Sequence, residues 1–242
     1  MAHTFRPLKR EPAYQKVYTA IEETILSGAL EVGATLPTET ELTEQLGVTR
    51  ATVREGLRLL EQRDLIERGA AKRFYVKRPD ASDIAATTSK SLALGGITFR
   101  EVWEALRAMH PPAAALAAGR ISEGALDALT ACHEELKQTP SDASDATVDL
   151  AVEFFQQLAR SLDNRVLLAM LQSLNLLIGV SLRKVIAANP DPQGRILAAQ
   201  AEIIAALKAG DEKAASEWLG RHVDDLRRGY EVAGVDLDQS VI

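Results

Sequence analysis

The sequence is poor in cysteine, in aromatic residues and in long apolar runs. Cys132 is the single cysteine among 242 residues, which excludes an internal disulfide framework and fits a reducing compartment. Aromatic residues make up only 5%, and the second half is rich in Ala and Leu, a bias that favours helices over sheets. No run approaches the ~20 apolar residues that cross a bilayer, and the first residues lack the apolar stretch of a secretory signal. We therefore expect a helical protein of the cytoplasm with no membrane partner.

The short patterns that mark common enzymes are also missing. The sequence has no Gly-rich phosphate loop, no nucleophile elbow and no paired metal-binding motif. Its histidines, His3, His110, His133 and His222, lack the short spacings of metal ligands. We therefore predict neither catalysis nor a cofactor.

Charge and proline divide the chain into two parts. Residues 1–78 carry 13 basic and 11 acidic residues, a net charge of +2. Residues 79–242 carry 15 and 23, a net charge of −8. The segment 79–83 is polar, starts with a proline and is typical of a linker. We predict one domain over 1–78, a linker over 79–83, a helical domain over 84–233 and a tail over 234–242.

The first part has the pattern of three short helices followed by a hairpin. Helical periodicity covers residues 13–28. Thr38 followed by Glu41 is the pattern of a capping box and starts a second helix, which Gly47 ends. Thr49 caps a third helix, and the apolar stretches 65–66 and 74–76 flank a turn that contains Gly69. This order predicts a winged helix-turn-helix.

The second part has helical periodicity throughout its long segments. These segments cover about 84–94, 98–119, 122–138, 145–163, 165–188, 194–209 and 211–232. Pro111 and Pro112 are expected to kink or split the second of them. The predicted fold class is mostly α, with an N-terminal winged helix-turn-helix and a C-terminal antiparallel bundle of six or seven helices.

The third helix of the first part is the candidate reader of DNA. An α-helix fits the major groove, and arginines near its N-terminus reach base edges or phosphates. Arg50, Arg54 and Arg58 lie on its predicted outer face. Gly56, within the same helix, costs about 1 kcal/mol of helix stability. Considered alone, the three arginines fit an ordinary amphipathic helix equally well.

Residues 30–76 resemble the winged helix-turn-helix of the GntR family of bacterial repressors. The residues that match its pattern are Gly33, Leu36, Pro37, Glu39, Leu42, Leu46, Gly47, Val48, Arg50, Val53, Arg54, Glu55, Leu57, Leu60 and Gly69. The resemblance implies that Arg50 and Arg54 contact base edges or phosphates and that Thr49 and Thr52 contact the DNA backbone. It also implies that Gly69 meets the minor groove through the wing.

One position departs from the pattern of the family. The family usually has Glu-Arg-Glu after the proline, whereas this chain has Glu39, Thr40 and Glu41. The missing cation is expected to weaken a contact or to shift it to Lys72 or Arg73 in the wing. The predicted DNA-binding residues are Thr38, Thr40, Thr49, Arg50, Thr52, Arg54, Arg58, Gly69, Lys72 and Arg73.

The second part is similar to the helical, FCD-type ligand-binding domain of the FadR-like branch of the family. Many members of this branch bind a divalent metal through one Asp and three His. The corresponding positions here are Ala151, Phe155, Gln200 and His222, of which only the last is a histidine. One imidazole beside a weak amide is not a metal site, so we predict that the metal has been lost.

The effector predicted for this domain is more apolar than in the family. The arginine that usually meets the effector's carboxylate is replaced by Leu106, and its neighbour Arg107 points about 100° away on a helix. A filled core is the open alternative, because a stripe of apolar residues at helical spacing is often plain core. The predicted pocket residues are Leu106, Arg107, His110, Ala151, Phe155, Asn175, Gln200 and His222.

These observations predict a ligand-responsive transcriptional regulator, in the family pattern a repressor. Its partners would be a palindromic double-stranded DNA operator, a small-molecule effector and a second copy of the chain, since a two-fold protein reads two half-sites. The alternative is an effector-independent repressor whose second domain only dimerises.

Overall fold

The computed structural model describes residues 12–69, 73–188 and 191–242. The chain separates into one unit that ends at Asp80 and a second that begins at Ala81. Within its described residues, the first unit contains three helices and a hairpin, as the sequence predicts. They are α1 (Ala13–Leu26), α2 (Glu39–Leu46), α3 (Arg50–Gln62), β1 (Ile66–Arg68) and β2 (Phe74–Val76). The two strands are antiparallel, with Ile66 opposite Val76.

Local signals set the ends of the helices in the first unit. The Thr38 side chain accepts a hydrogen bond from the Glu41 amide, and the Glu41 carboxylate accepts one from the Thr38 amide. This confirms the predicted capping box. Gly47 ends α2 with a φ of 63°, in the left-handed region that glycine tolerates. Thr49 caps α3 by accepting a hydrogen bond from the Thr52 amide.

The core of the first unit lies where the helices meet the hairpin. Its buried apolar residues are Val17, Ile21, Leu36, Leu42, Val53, Leu57, Leu60, Ile66, Phe74 and Val76. Helix α1 crosses α3 very closely at Gly56. A Cβ atom at that position would lie 2.6 Å from Cγ1 of Val17 and 3.1 Å from the carbonyl oxygen of Tyr14. Close packing of α1 therefore explains the poor helix former inside α3.

Helices make up the second unit, as predicted. They are α4 (Ala81–Leu94), α5 (Phe99–Ala118), α6 (Glu123–Gln138), α7 (Ser144–Arg160), α8 (Arg165–Ala188), α9 (Pro192–Ala209) and α10 (Glu212–Val232). Residues 81–83, which were assigned to the linker, belong to α4. In the described part of the chain, no helix is long and apolar enough to cross a membrane.

The helices of the second unit surround one apolar core. Helix α5 packs against α10 and α8, and the consecutive pairs α6–α7, α7–α8 and α9–α10 also pack together. Helix α5 continues through Pro111 and Pro112, so these residues do not split it. Both prolines lie in a well-packed segment in which His110, Ala113 and Ala114 are buried.

The segment assigned to a tail packs onto the start of α5. The amides of Phe99 and Arg100 donate to the carbonyl oxygens of Gln239 and Leu237, at 3.2 and 2.9 Å. Val241 is buried in the core of the second unit. The last residues therefore satisfy amides that the first turn of a helix leaves without partners.

Candidate DNA-binding groove and effector cavity

A polar groove of about 840 Å³ lies between the start of α2, the outer face of α3 and the hairpin. Most of the predicted DNA-binding residues line it: Thr38, Thr40, Arg50, Arg54, Arg58 and Arg73. Thr49 and Thr52 lie at the start of α3, where their hydroxyl oxygens are 2.9 Å apart. Lys72 lies outside the described residues. The structure thus gathers cations from two elements that are separate in sequence.

One carboxylate holds two of the three arginines of α3 in place. Oε2 of Glu39 accepts hydrogen bonds from Nε of Arg50 at 3.0 Å and from Nε of Arg54 at 2.8 Å. Partial burial raises the pKa of Glu39, but the hydrogen bonds from Arg54 and Arg50 lower it overall. Both arginine side chains remain 62% exposed. Their terminal amino groups are therefore left to face a ligand.

The exposed position of Thr40 has a cation close by. Hydrogen bonds from the Thr38 amide and hydroxyl hold the pKa of the neighbouring Glu41 below its ordinary value, and the charge of Arg73 adds to this effect. Arg73 is therefore near the place where the family usually carries its arginine. This geometry agrees with a shift of the contact to the wing.

Sequence reasoning missed Arg68 as a member of the groove. Its guanidinium carbon lies 4.8 Å from the centre of the Phe74 ring, and its Nε is 3.5 Å from a carboxylate oxygen of Glu61. Stacking on an aromatic face keeps an arginine extended while it stays charged. Its place directly before Gly69 was the available signal.

Gly69 has a packing role at the turn end of the hairpin. A Cβ atom there would lie 2.3 Å from Cε2 of Tyr75. The Gly69 amide also donates to the carbonyl oxygen of Arg73 at 2.9 Å. Contact with the Tyr75 ring explains the glycine without any reference to DNA, so its minor-groove role stays a prediction.

The second unit contains an apolar cavity of about 70 Å³, bounded by residues of α5, α7, α8, α9 and α10. Four of the predicted pocket residues line it: Leu106, Ala151, Phe155 and His222. The space is smaller than the 300–1,000 Å³ of typical ligand sites. A small cavity therefore lies at four of the predicted positions, and its role as an effector pocket stays a prediction.

Phe155, in the cavity wall, packs against two histidine rings. The Phe155 ring stacks on His222, with centroids 5.4 Å apart, and meets His110 edge-on at 5.1 Å. His110 Nε2 is 2.9 Å from Oδ1 of the buried Asn175. Burial lowers the pKa of both histidines to about 4, so both rings are neutral at physiological pH. His110 and Asn175 thus lie behind the cavity wall and support Phe155.

Two predicted pocket residues lie elsewhere. Arg107 pairs with Asp224, with its Nε 3.2 Å from the carboxylate, because its side chain leaves α5 on a different side from Leu106. Gln200 is fully buried, and its Oε1 lies 3.3 Å from Nδ1 of His133. Their assignment to the pocket was wrong.

Sequence reasoning missed the two charged residues that do line the cavity. Nη2 of Arg195 on α9 lies 2.6 Å from Oδ1 of Asp225 on α10. The one available signal was the place of Asp225, three residues after His222, which puts both on one face of a helix.

The residues at the expected metal positions do not fit a metal ion. Ala151 and Phe155 offer no ligand atom, and the Phe155 ring covers the imidazole face of His222. Across residues 12–69, 73–188 and 191–242, no group of three or more His, Cys, Asp or Glu side chains is placed to hold a metal.

Comparison with known families accounts for both units. Residues 13–76 match the bacterial regulatory proteins of the gntR family, and residues 101–225 match the FCD domain. The chain belongs to the GntR family. GntR-family regulators bind DNA, and FCD domains typically bind small-molecule effectors. This GntR-family protein is therefore a transcriptional regulator and not an enzyme.

Individual relatives agree with this family. The chain is 34% identical to the uncharacterized HTH-type transcriptional regulator Rv0494 of Mycobacterium tuberculosis. The match spans 164 residues, 67% of each protein. It is 26% identical over 170 residues to the Glc operon transcriptional activator of Escherichia coli K12, covering 69% of this chain and 67% of the activator. The Streptococcus agalactiae GntR structure matches with a TM-score of 0.56 at 23% identity, covering 89% of this chain and 99% of the other. This structural likeness supports the fold.

Proposed function

We propose that this GntR regulator is a cytoplasmic homodimer that binds a palindromic operator and responds to an apolar organic effector. The observation that carries the proposal is the groove in which Glu39 orients Arg50 and Arg54 while leaving their terminal amino groups exposed. Such an arrangement suits bidentate contacts to guanine or phosphate. Two copies would supply the two recognition helices that a palindrome needs.

The proposed effector acts through the cavity in the helical unit. A ligand changes DNA binding only if it has different affinities for the DNA-binding and non-binding forms of the protein. Burial of more than a few carbon atoms of a ligand in a space of about 70 Å³ requires the surrounding helices to move apart. That movement, passed through the segment around Pro79, would change the separation of the two recognition helices.

We propose repression as the direction of control, with the effector releasing the DNA. Relatives include both activators and repressors of transcription. One is the Glc operon activator, and another is the E. coli K12 repressor MngR, which is 38% identical over 80 residues, 33% of each chain. Both names describe transcriptional control, so these relatives support operator binding more directly than either direction of control.

Arg54→Ala tests the DNA contact. An operator is first selected from random DNA with the wild-type protein, and affinities are then measured by fluorescence anisotropy at matched salt. Loss of a bidentate arginine contact is expected to cost about 1–3 kcal/mol, or roughly tenfold or more in affinity. Arg63→Ala, outside the groove, is the matched control for loss of one positive charge. Equal affinities for Arg54→Ala and the control would contradict the contact.

The small size of the cavity favours one alternative function, an effector-independent repressor. Under this alternative, the helical unit serves only dimerisation. The two functions differ in whether any small molecule changes operator affinity of the wild-type dimer. A panel of acyl thioesters and simple carboxylates, added to the anisotropy titration, separates them.

A further inference from the structure

An ion pair borders the cavity of the helical unit. Arg195 and Asp225 are the charged members of its described lining, because His222 is neutral at physiological pH. The remaining wall is apolar and includes Leu182, Ile186 and Ile196. A ligand in this space therefore meets one cation, one carboxylate, the neutral imidazole of His222 and hydrocarbon.

We propose that Arg195 is the anion-binding group of the cavity and that a small monocarboxylate with an apolar body replaces Asp225 on its guanidinium. This inference rests on the effector role proposed for the cavity. It assigns the carboxylate-binding function to α9, whereas the position on α5 that the family uses carries Leu106 in this chain.

The exposure of the ion pair makes the exchange feasible. The side chains of Arg195 and Asp225 are 39% and 43% exposed. Ion pairs with this exposure contribute little to stability because water screens them. Asp225 can therefore turn toward solvent at small cost, whereas a deeply buried partner would leave an unpaired charge behind.

Guanidinium geometry explains the preference for a carboxylate. The structure shows one hydrogen bond between the pair, from Nη2 of Arg195 to Oδ1 of Asp225 at 2.6 Å. A free carboxylate is not tied to a helix, and so it can align both oxygens with the planar guanidinium. The apolar body of the ligand then lies against the hydrocarbon wall, which disfavours a second charge.

The size of the cavity limits the part of the ligand that it can bury. A dry cavity of about 150 Å³ accommodates a benzene ring. The present volume of about 70 Å³ is roughly half of that, room for a few carbon atoms. Propionate, butyrate and hexanoate are therefore suitable probes, with 1-butanol as the neutral analogue of butyrate and succinate as the diacid.

Isothermal titration calorimetry of the full-length protein, in buffer with EDTA, tests the assignment. We expect butyrate to bind at least about tenfold more tightly than 1-butanol and succinate. Arg195→Gln is expected to weaken butyrate binding about tenfold or more, because the cation is lost. Asp225→Asn is expected to strengthen it a few-fold, because the competing carboxylate is gone. A purely structural ion pair would not give these opposite signs.

Arg160→Gln is the matched control. Arg160 pairs with Glu153 at 2.7 Å, with side chains 46% and 42% exposed, and neither residue lines the cavity. This variant is expected to bind butyrate as the wild type does, and circular dichroism checks that every variant is folded. Equal binding of butyrate and 1-butanol, no binding of any of the three monocarboxylates, or weaker binding by Asp225→Asn would overturn the proposal. Operator binding is measured on the same samples, so failure at Arg195 with intact, effector-sensitive operator binding would leave the proposed function standing.

Discussion

Glu39 decides how two arginines of the recognition helix are presented. Its carboxylate occupies Nε of both Arg50 and Arg54, so their planar ends point in fixed directions before DNA arrives. Preorganised groups lose less conformational freedom on binding than free ones do. A negative charge beside the DNA also opposes phosphate binding in general. The two effects together favour discrimination between sequences over raw affinity.

Glu39→Gln is therefore expected to lower specificity. Affinity for random DNA should rise severalfold because one negative charge is removed, while affinity for the operator should rise less or fall because the arginines are less fixed. The ratio of operator to random-DNA affinity, measured by anisotropy at several salt concentrations, reports the change. Glu44→Gln removes the same charge from an exposed position of α2 outside the groove. An equal change of the ratio in both variants would show that charge, and not orientation, is responsible.

Helices α1 and α3 cross so closely at Gly56 that there is no room for a side chain at this position. Gly56 permits it, since a Cβ atom would lie 2.6 Å from Val17 and 3.1 Å from a backbone oxygen of α1. The Val17 side chain can adjust, but the backbone of α1 can yield only if the whole helix shifts. Position 56 is thus set by packing between elements, against the preference of α3 itself.

Gly56→Ala is expected to destabilise the first unit in spite of its better helix propensity. Alanine gains about 1 kcal/mol as a helix former, but overpacking costs typically 1–3 kcal/mol, so a net loss of about 1 kcal/mol is expected. Hydrogen–deuterium exchange of α1 and α3 peptides measures the change in the full-length protein. Ala51→Gly, on the exposed face of the same helix, gives the propensity effect alone. Slower exchange in Gly56→Ala would contradict the packing argument.

Helix ends that are set by contacts between residues close in sequence were predictable. Thr38, Gly47 and Thr49 set helix ends through contacts within a few residues, and their roles were confirmed. Contacts between distant elements were not predictable. Arg195 and Asp225 are 30 positions apart, and their meeting depends on how α9 packs on α10.

The cavity illustrates the same limit at a single side chain. Alignment of the family's metal positions located Phe155 and His222 correctly at the cavity, but spacing alone could not show their rings stacked. It also placed Gln200 there, although packing turns that side chain toward His133. Sequence therefore identified which helices surround the cavity, and packing decided which of their residues face it.

The two units of the molecule are expected to respond to different solution conditions, the first to salt and the second to pH. The first presents exposed arginines whose action on DNA depends on salt. The second buries His110 and His222 around Phe155, which makes its stability depend on pH. The tryptophans, Trp103 and Trp218, both lie in the second unit and report on it separately.

The helical unit is expected to lose stability as the pH falls from about 6.5 toward 4. Burial lowers the pKa of His110 and His222 to about 4, whereas a histidine in the unfolded chain titrates near 6.5. Between these values the unfolded chain binds more protons than the folded one, so the histidines' contribution to the free energy of unfolding is complete above this range and is lost as the pH falls through it. The decline is up to about 1.4 kcal/mol per pH unit for each histidine. The Asp238 carboxylate adds a decline of the same sign only at lower pH, because a hydrogen bond from Arg100 holds its pKa below its ordinary value and an unfolded aspartate titrates near 3.9.

Urea unfolding followed by tryptophan fluorescence at about pH 7, 6 and 5 measures this dependence. His222→Phe retains an aromatic ring to stack on Phe155 but cannot be protonated, so it is expected to reduce the slope between pH 6.5 and 5 by roughly half. His133→Gln serves as the control, because His133 lies outside the His110–Phe155–His222 stack. If His222→Phe and His133→Gln kept the same slope as the wild type, the buried histidine at the cavity would not be the source of the pH dependence. A slope reduced only in His222→Phe would show that the stack around Phe155 couples protonation to the stability of the helical unit.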